Sequence, residues 1–218
     1  MRIKINITVN RAVQILLLYL FFVVTSTALF VPIFAVFITD FVVGATLSTV
    51  GFALGLYAIT KSIFQIPLAR FLDKHIGERD DFYALVVGAI IAAIYPFALL
   101  MVSKVWHLYA AEVLAGIGDA ALMSAYYSLF ARHVDKGAEG FEWSLFSVGG
   151  LTISSAIGGA IGGVLGDIFG FKFLFLISGI VNLFVLFILF FLYPHLDGAR
   201  PTALPPFTPI PKNPATKQ

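Results

Sequence analysis

Residues 82–131 read FYALVVGAIIAAIYPFALLMVSKVWHLYAAEVLAGIGDAALMSAYYSLFA. Two long apolar runs follow one another here, parted only by Ser103 and Lys104. At 1.5 Å of rise per residue, each is long enough to cross a hydrocarbon core of ~30 Å. The turn between them is so short that the two must run antiparallel, side by side. A lipid-exposed backbone has to satisfy its own polar groups, so each run predicts a helix. The alternating dyads of a membrane β-barrel are absent.

The same pattern extends in both directions. Spans are predicted at roughly 12–37, 47–70, 82–103, 105–131, 143–166 and 171–193, giving an all-α integral membrane protein in the form of a six-helix bundle. Composition agrees: 60% of the 218 residues are hydrophobic and 12% are charged, whereas an ordinary soluble domain carries about a quarter charged residues. The first apolar run is too long for the core of a cleavable signal peptide and lacks a small-residue cleavage site. There is no cysteine, so disulfides, thiolate nucleophiles and Cys metal sites are excluded. A net charge of +2 gives no reason to expect a nucleic-acid partner. No nucleophile–base pair, phosphate-cradling loop or metal cluster is apparent, so neither an enzyme nor a cofactor is expected. His75, His107, His133 and His195 lack ligand spacing.

The loops orient the bundle. Arg2, Lys4, Arg11, Arg70, Lys74, Arg79, Arg132, Lys136, Arg200, Lys212 and Lys217 fall at one end, 11 of the 14 Lys and Arg residues. The positive-inside rule then puts both termini in the cytoplasm, with the chain in the cell membrane as a multi-pass protein. The stretch 194–218 holds seven of the ten prolines and is expected to form an extended cytoplasmic tail.

Three ionisable residues interrupt the apolar spans. An unpaired charge at mid-membrane costs at least about 2.5–3.5 kcal/mol, so such residues normally face a partner or a wet cavity. Lys61 and Asp119 sit near the middle of spans two and four, which run in the same direction, so an ion pair or shared site across a central cavity is predicted. Glu112 lies two turns from Asp119 on nearly the same face; starved of water, its carboxyl could bind and release a proton. Gln14, Thr25, Ser26, Tyr57, Tyr126 and Asn182 are candidates for a polar path or for bonds between helices. Pro32 and Pro96 predict kinks. The 23 phenylalanines are expected to serve mainly as lipid-facing bulk.

Span five carries Gly150, Ser154, Gly158, Gly162, Gly166 and Gly170 at a spacing of four, with Gly159 and Gly163 beside them. Residues four apart share a helix face. A face without side chains lets a neighbouring backbone come close, for packing or for rocking. An internal echo also appears. Leu72-Asp73, Gly77 and Phe82-Tyr83 follow span two, while Leu165-Gly166-Asp167, Gly170 and Phe171 follow span five. The two passages lie at opposite ends of the bundle, as in two inverted three-helix repeats.

With these residues on the page, the chain over about 1–193 resembles the N-terminal six-helix half of a major facilitator superfamily transporter. The segment from Pro67 to Arg79 is similar to that family's signature between spans two and three: Asp73, Lys74, Gly77 and Arg79 match in type. Ala69 replaces the leading glycine, and one extra residue separates Asp73 from Gly77. Gly116, Gly118 and Ala120 resemble a second signature in span four, where Glu112 stands in place of an arginine. Gly158, Gly159, Gly162 and Gly163 resemble a third in span five, without its proline. The resemblance implies secondary transport of a small solute by alternating access, with Arg70, Asp73, Lys74, Gly77 and Arg79 at a cytoplasmic gate. Lys61, Glu112 and Asp119 would then line the path for solute and protons. It also implies that a second six-helix half is needed, from a homodimer or a partner. The other reading is a non-transporting assembly or regulatory protein, or a fragment, derived from such a half.

Overall fold

The computed structural model describes residues 9–74 and 77–196. Arg2 and Lys4, His75, and the proline-rich stretch from 197 onward, expected as a tail, lie outside the described residues. Six helical spans are long and apolar enough to cross a membrane. They are α1 (Arg11–Phe41), α2 (Leu47–Lys74), α3 (Arg79–Leu100), α4 (Val105–His133), α5 (Glu139–Phe169) and α6 (Phe171–His195). Among the described residues there is no strand, only an isolated bridge that ties Val43 to Lys104 in the loops at one end. The end carrying Arg11, Arg70, Lys74, Arg79 and Arg132 is called the basic end below.

The packing order shows how the bundle is built. α1 packs on α5 and α6, α4 packs on α2 and α3, α3 packs on α6, and α1 meets α4 over a smaller area. Exchanging α1 with α4, α2 with α5 and α3 with α6 maps these main pairings onto themselves, as expected for two three-helix repeats of opposite topology, while α1 also touches α2 and α5 touches α6 without counterparts of equal extent. α1 and α4 therefore occupy the centre, and α2 and α5 lie on opposite flanks.

Small residues set the closest approaches. A Cβ placed on Gly88 of α3 would fall 2.5 Å from the backbone nitrogen of Leu122 and 2.6 Å from the carbonyl of Gly118 in α4. On the other side of α4, a Cβ on Gly116 would fall 2.8 Å from the carbonyl of Tyr57 in α2. α4 is thus clasped between two neighbours at backbone distance, and this brings α2 close enough for its polar side chains to reach α4.

Two apolar cores are stacked along the bundle. Leu16, Leu20, Leu85, Leu122, Leu129, Phe130 and Leu189 pack at the basic end. Phe30, Phe34, Phe37, Ile38, Leu99, Leu108 and Phe175 pack at the other. The expectation that the phenylalanines serve mainly as lipid-facing bulk needs correction here. Phe30 and Phe37 make edge-on contacts with Phe175, with ring centroids 5.3 and 4.8 Å apart. Such pairs gain about 0.5–1.5 kcal/mol beyond burial. Phe184, Phe187 and Phe190 of α6 are exposed on the bundle surface.

Two spans depart from straight α-helix. α1 breaks after Ala28 into a short 3-10 turn, Val31–Ile33, and resumes at Phe34. Pro32 lies in that turn and has no N–H to offer the ladder. α5 contains a π-helical stretch, Leu145–Ile153. Within it the Thr152 hydroxyl donates to the Ser147 carbonyl, and just beyond it the Ser154 hydroxyl donates to the Gly149 carbonyl, each five residues back. Pro67 and Pro96 sit inside α2 and α3. The turn from α5 to α6 is a single residue, Gly170, with φ of +77°, a conformation that glycine adopts without strain.

Candidate functional site

The centre of the site is one carboxylate. Asp119 of α4 lies one turn beyond Gly116, where α2 approaches most closely. Its Oδ2 is 2.6 Å from the Lys61 ammonium and accepts a hydrogen bond from the Tyr57 hydroxyl at 2.5 Å. Both donors come from one face of α2, four residues apart. The Lys61 and Asp119 side chains keep 29% and 23% of their exposure, so the pair is reachable from outside the packed core.

Glu112 occupies the next polar position on α4, towards the end away from the basic loops. It is 2% exposed and accepts a hydrogen bond from the Tyr95 hydroxyl of α3 at 2.7 Å. Each carboxylate thus has its own tyrosine donor, Tyr57 for Asp119 and Tyr95 for Glu112. On α1, Tyr19 is buried in the bundle. Its hydroxyl and that of Tyr126 are buried with no hydrogen-bond partner among the described residues. A buried unpaired hydroxyl is costly, and these two bring further polar capacity to the bundle centre.

Sequence reasoning placed Lys61, Glu112 and Asp119 together but passed over Tyr19 and Tyr95. The available signal was depth: membrane tyrosines normally collect at the two interfaces, and these stand well inside their helices.

At the basic end the structure separates the residues named as a gate. Ile66, Pro67, Arg70, Phe71 and Lys74 line a shallow groove on the outer side of α2. Gly77 is buried with φ of +129°, turning the chain into α3. Arg79 points elsewhere, with its guanidinium 5.9 Å from the centre of the Tyr193 ring on α6. Asp73 is exposed and has an interaction of its own.

A second ionic cluster here was missed. Arg132 donates to the fully buried Asp81 at 2.5 Å and to the Ser128 hydroxyl at 2.6 Å. His133 lies 3.6 Å from the Glu78 carboxylate. These contacts tie the end of α4 to the start of α3.

The glycines of α5 divide into two strips. A Cβ on Gly158 would overlap the Thr25 carbonyl, and one on Gly162 the Leu29 carbonyl; Gly150 meets Leu20 and Gly166 meets Ile33 in the same way. This strip receives α1. Gly159 would reach only the Pro32 ring at 3.5 Å, an ordinary contact, and Gly163 has nothing within 4 Å. Gly158 and Gly162 thus pack against α1, while Gly159 and Gly163, the second strip beside them, make no close approach to it.

The arrangement holds a cation, two carboxylates and four tyrosines near the middle of a helical bundle, groups able to bind a charged solute or pass protons. A comparison with curated proteins gives no match. The sequence pattern described as Major Facilitator Superfamily matches residues 16–217. That match covers all six spans, and with the repeat-built helical bundle it shows that the chain belongs to the major facilitator superfamily, a family of membrane transporters.

Proposed function

We propose that the chain is a secondary transporter that moves a small solute by alternating access, in which these six helices form one half of the pathway. The second half comes from another six-helix unit. The observation that carries this reading is the Lys61–Asp119–Tyr57 cluster, with the Tyr95–Glu112 pair at the next polar position on α4. Charges at mid-membrane are expensive, and a role in solute or proton passage accounts for keeping them. Asp119 and Lys61 bind the charged part of the solute or exchange it for one another, and Glu112 takes up and releases a proton. Arg70, Asp73, Lys74, Gly77 and Arg79 gate the basic end, which faces the cytoplasm by its excess of Lys and Arg.

The chain's lack of cysteine permits a clean test. A Tyr57→Cys variant in sealed vesicles is treated with a membrane-impermeant thiol reagent from one face and then, separately, from the other. Labelling from both faces is the expected result. Labelling from neither face, or from one face only under every solute tried, removes the pathway.

A further inference from the structure

The Lys61 ammonium and the Tyr57 hydroxyl both meet the same oxygen of Asp119, Oδ2, at 2.6 and 2.5 Å. Oδ1 takes no donor among the described residues, yet it is not buried. It is therefore an open anionic acceptor. An ammonium has three N–H groups, and Asp119 is the one ion-pair partner of Lys61 among the described residues. The two side chains keep 29% and 23% of their exposure, so an unfilled acceptor and unfilled donors stand side by side. A pair that served only to fix helix register would fill its remaining lone pairs and protons from within the protein. This one leaves them open.

Charge balance narrows what can occupy them. On α2 and α4 no other charged side chain lies within one turn of Lys61 or Asp119. Glu112 is two turns away and bonded to Tyr95. The site is thus neutral by itself. A solute with a single charge would either add a net charge at this depth or pull Lys61 and Asp119 apart, and both are costly. A neutral solute would offer weaker hydrogen bonds than a charged one. A zwitterion avoids both penalties. Its ammonium meets Oδ1 and its carboxylate meets the Lys61 ammonium, so each charge gains an opposite neighbour while the Lys61–Asp119 contact stays intact. Because Lys61 and Asp119 touch, the two charges of the solute must also lie close together.

We infer that the solute is a small zwitterion of the α-amino-acid type, held across Lys61 and Asp119. The inference rests on the proposed reading of this cluster as the solute site and adds the chemical class. Tyr57 acts as a positioning residue, since its bond to Oδ2 keeps Oδ1 turned to the open side.

Calorimetric binding to the full chain in lipid nanodiscs tests it with five probes: glycine, ε-aminocaproate, acetate, methylammonium and acetamide. Glycine should bind at least about tenfold more tightly than any of the others, the worth of one charged hydrogen bond. Acetate and methylammonium each supply one of its charges, acetamide supplies none, and ε-aminocaproate holds both too far apart. Asp119→Asn should turn the preference to acetate, and Lys61→Met should turn it to methylammonium, a reversal that loss of stability alone would not produce. Glycine without an advantage over acetate, methylammonium or acetamide overturns the inference, as does equal binding of ε-aminocaproate; the parent chain alone decides this. Vesicle uptake separates the two readings. Glycine that binds and is not moved counts against transport alone, and uptake of acetate or methylammonium in preference to glycine counts against this inference alone.

Discussion

The Lys61 ammonium and the Asp119 carboxylate lie 2.6 Å apart, one on α2 and one on α4, at matching positions along two helices held together by Gly116. Each member makes the other tolerable in the membrane, so their substitutions are coupled. Asp119→Asn should destabilise the chain by about 3 kcal/mol, the low end for breaking a buried pair, because both side chains keep some exposure. The double variant Lys61→Met/Asp119→Asn should recover most of that loss while abolishing transport. Unfolding in lipid nanodiscs by denaturant, run as a double-mutant cycle, checks this; additive effects would mean the two side chains do not interact.

Among the described residues, Glu112 differs from Asp119 in having Tyr95 as its one hydrogen-bond donor and no cation. Glu112→Gln keeps an oxygen for that hydroxyl and so should leave stability within about 0.5 kcal/mol of the parent, the usual range for a change that breaks no buried contact. Proton movement should fall to background. Parallel measurements of unfolding and of vesicle pH would show the split.

The two strips of α5 predict opposite outcomes for one chemical change. Gly158→Ala and Gly162→Ala drive a methyl into carbonyls of α1 and should cost about 1–3 kcal/mol by overpacking. Gly163→Ala meets open space within the chain and should be neutral, or stabilising by up to about 1 kcal/mol through helix propensity. Thermal unfolding of the three variants in one lipid composition makes the comparison.

Arg132 and Asp81 predict a third kind of effect. Asp81 has no exposed surface, and Arg132 holds it while also bonding Ser128. Arg132→Met should destabilise the basic end by about 3 kcal/mol, since it removes the cation that faces a buried carboxylate. Hydrogen exchange at the start of α3 and the end of α4 should rise first, ahead of global unfolding.

Six spans were legible because length and hydropathy alone decide whether a run can cross a bilayer, and their repeat relationship was read from the echo of Leu72-Asp73 and Gly77 in Leu165-Gly166-Asp167 and Gly170. The pairing of Lys61 with Asp119 was legible for a related reason: rare charges at equal depth have few possible partners. What hydropathy cannot do is tell an inward face from a lipid-facing one, since both are apolar. Phe30, Phe37 and Phe175 were misread for this reason. The π-helical turn of α5 leaves no composition signal, because only a shift of hydrogen bonds by one residue defines it. The Arg132–Asp81 pair was hidden by position, since both residues sit where charges are ordinary and nothing in sequence joins them.

The central claim is that solute and protons pass by Asp119. The most direct measurement is solute-driven proton movement in vesicles carrying a trapped pH dye, for the parent chain and for Asp119→Asn at equal protein content, across a panel of small anionic, cationic and zwitterionic solutes. The account predicts that at least one solute shifts the internal pH with the parent chain and that Asp119→Asn reduces this to the level of empty vesicles. An Asp119→Asn protein that moves the same solute and the same protons at the parent rate would contradict it.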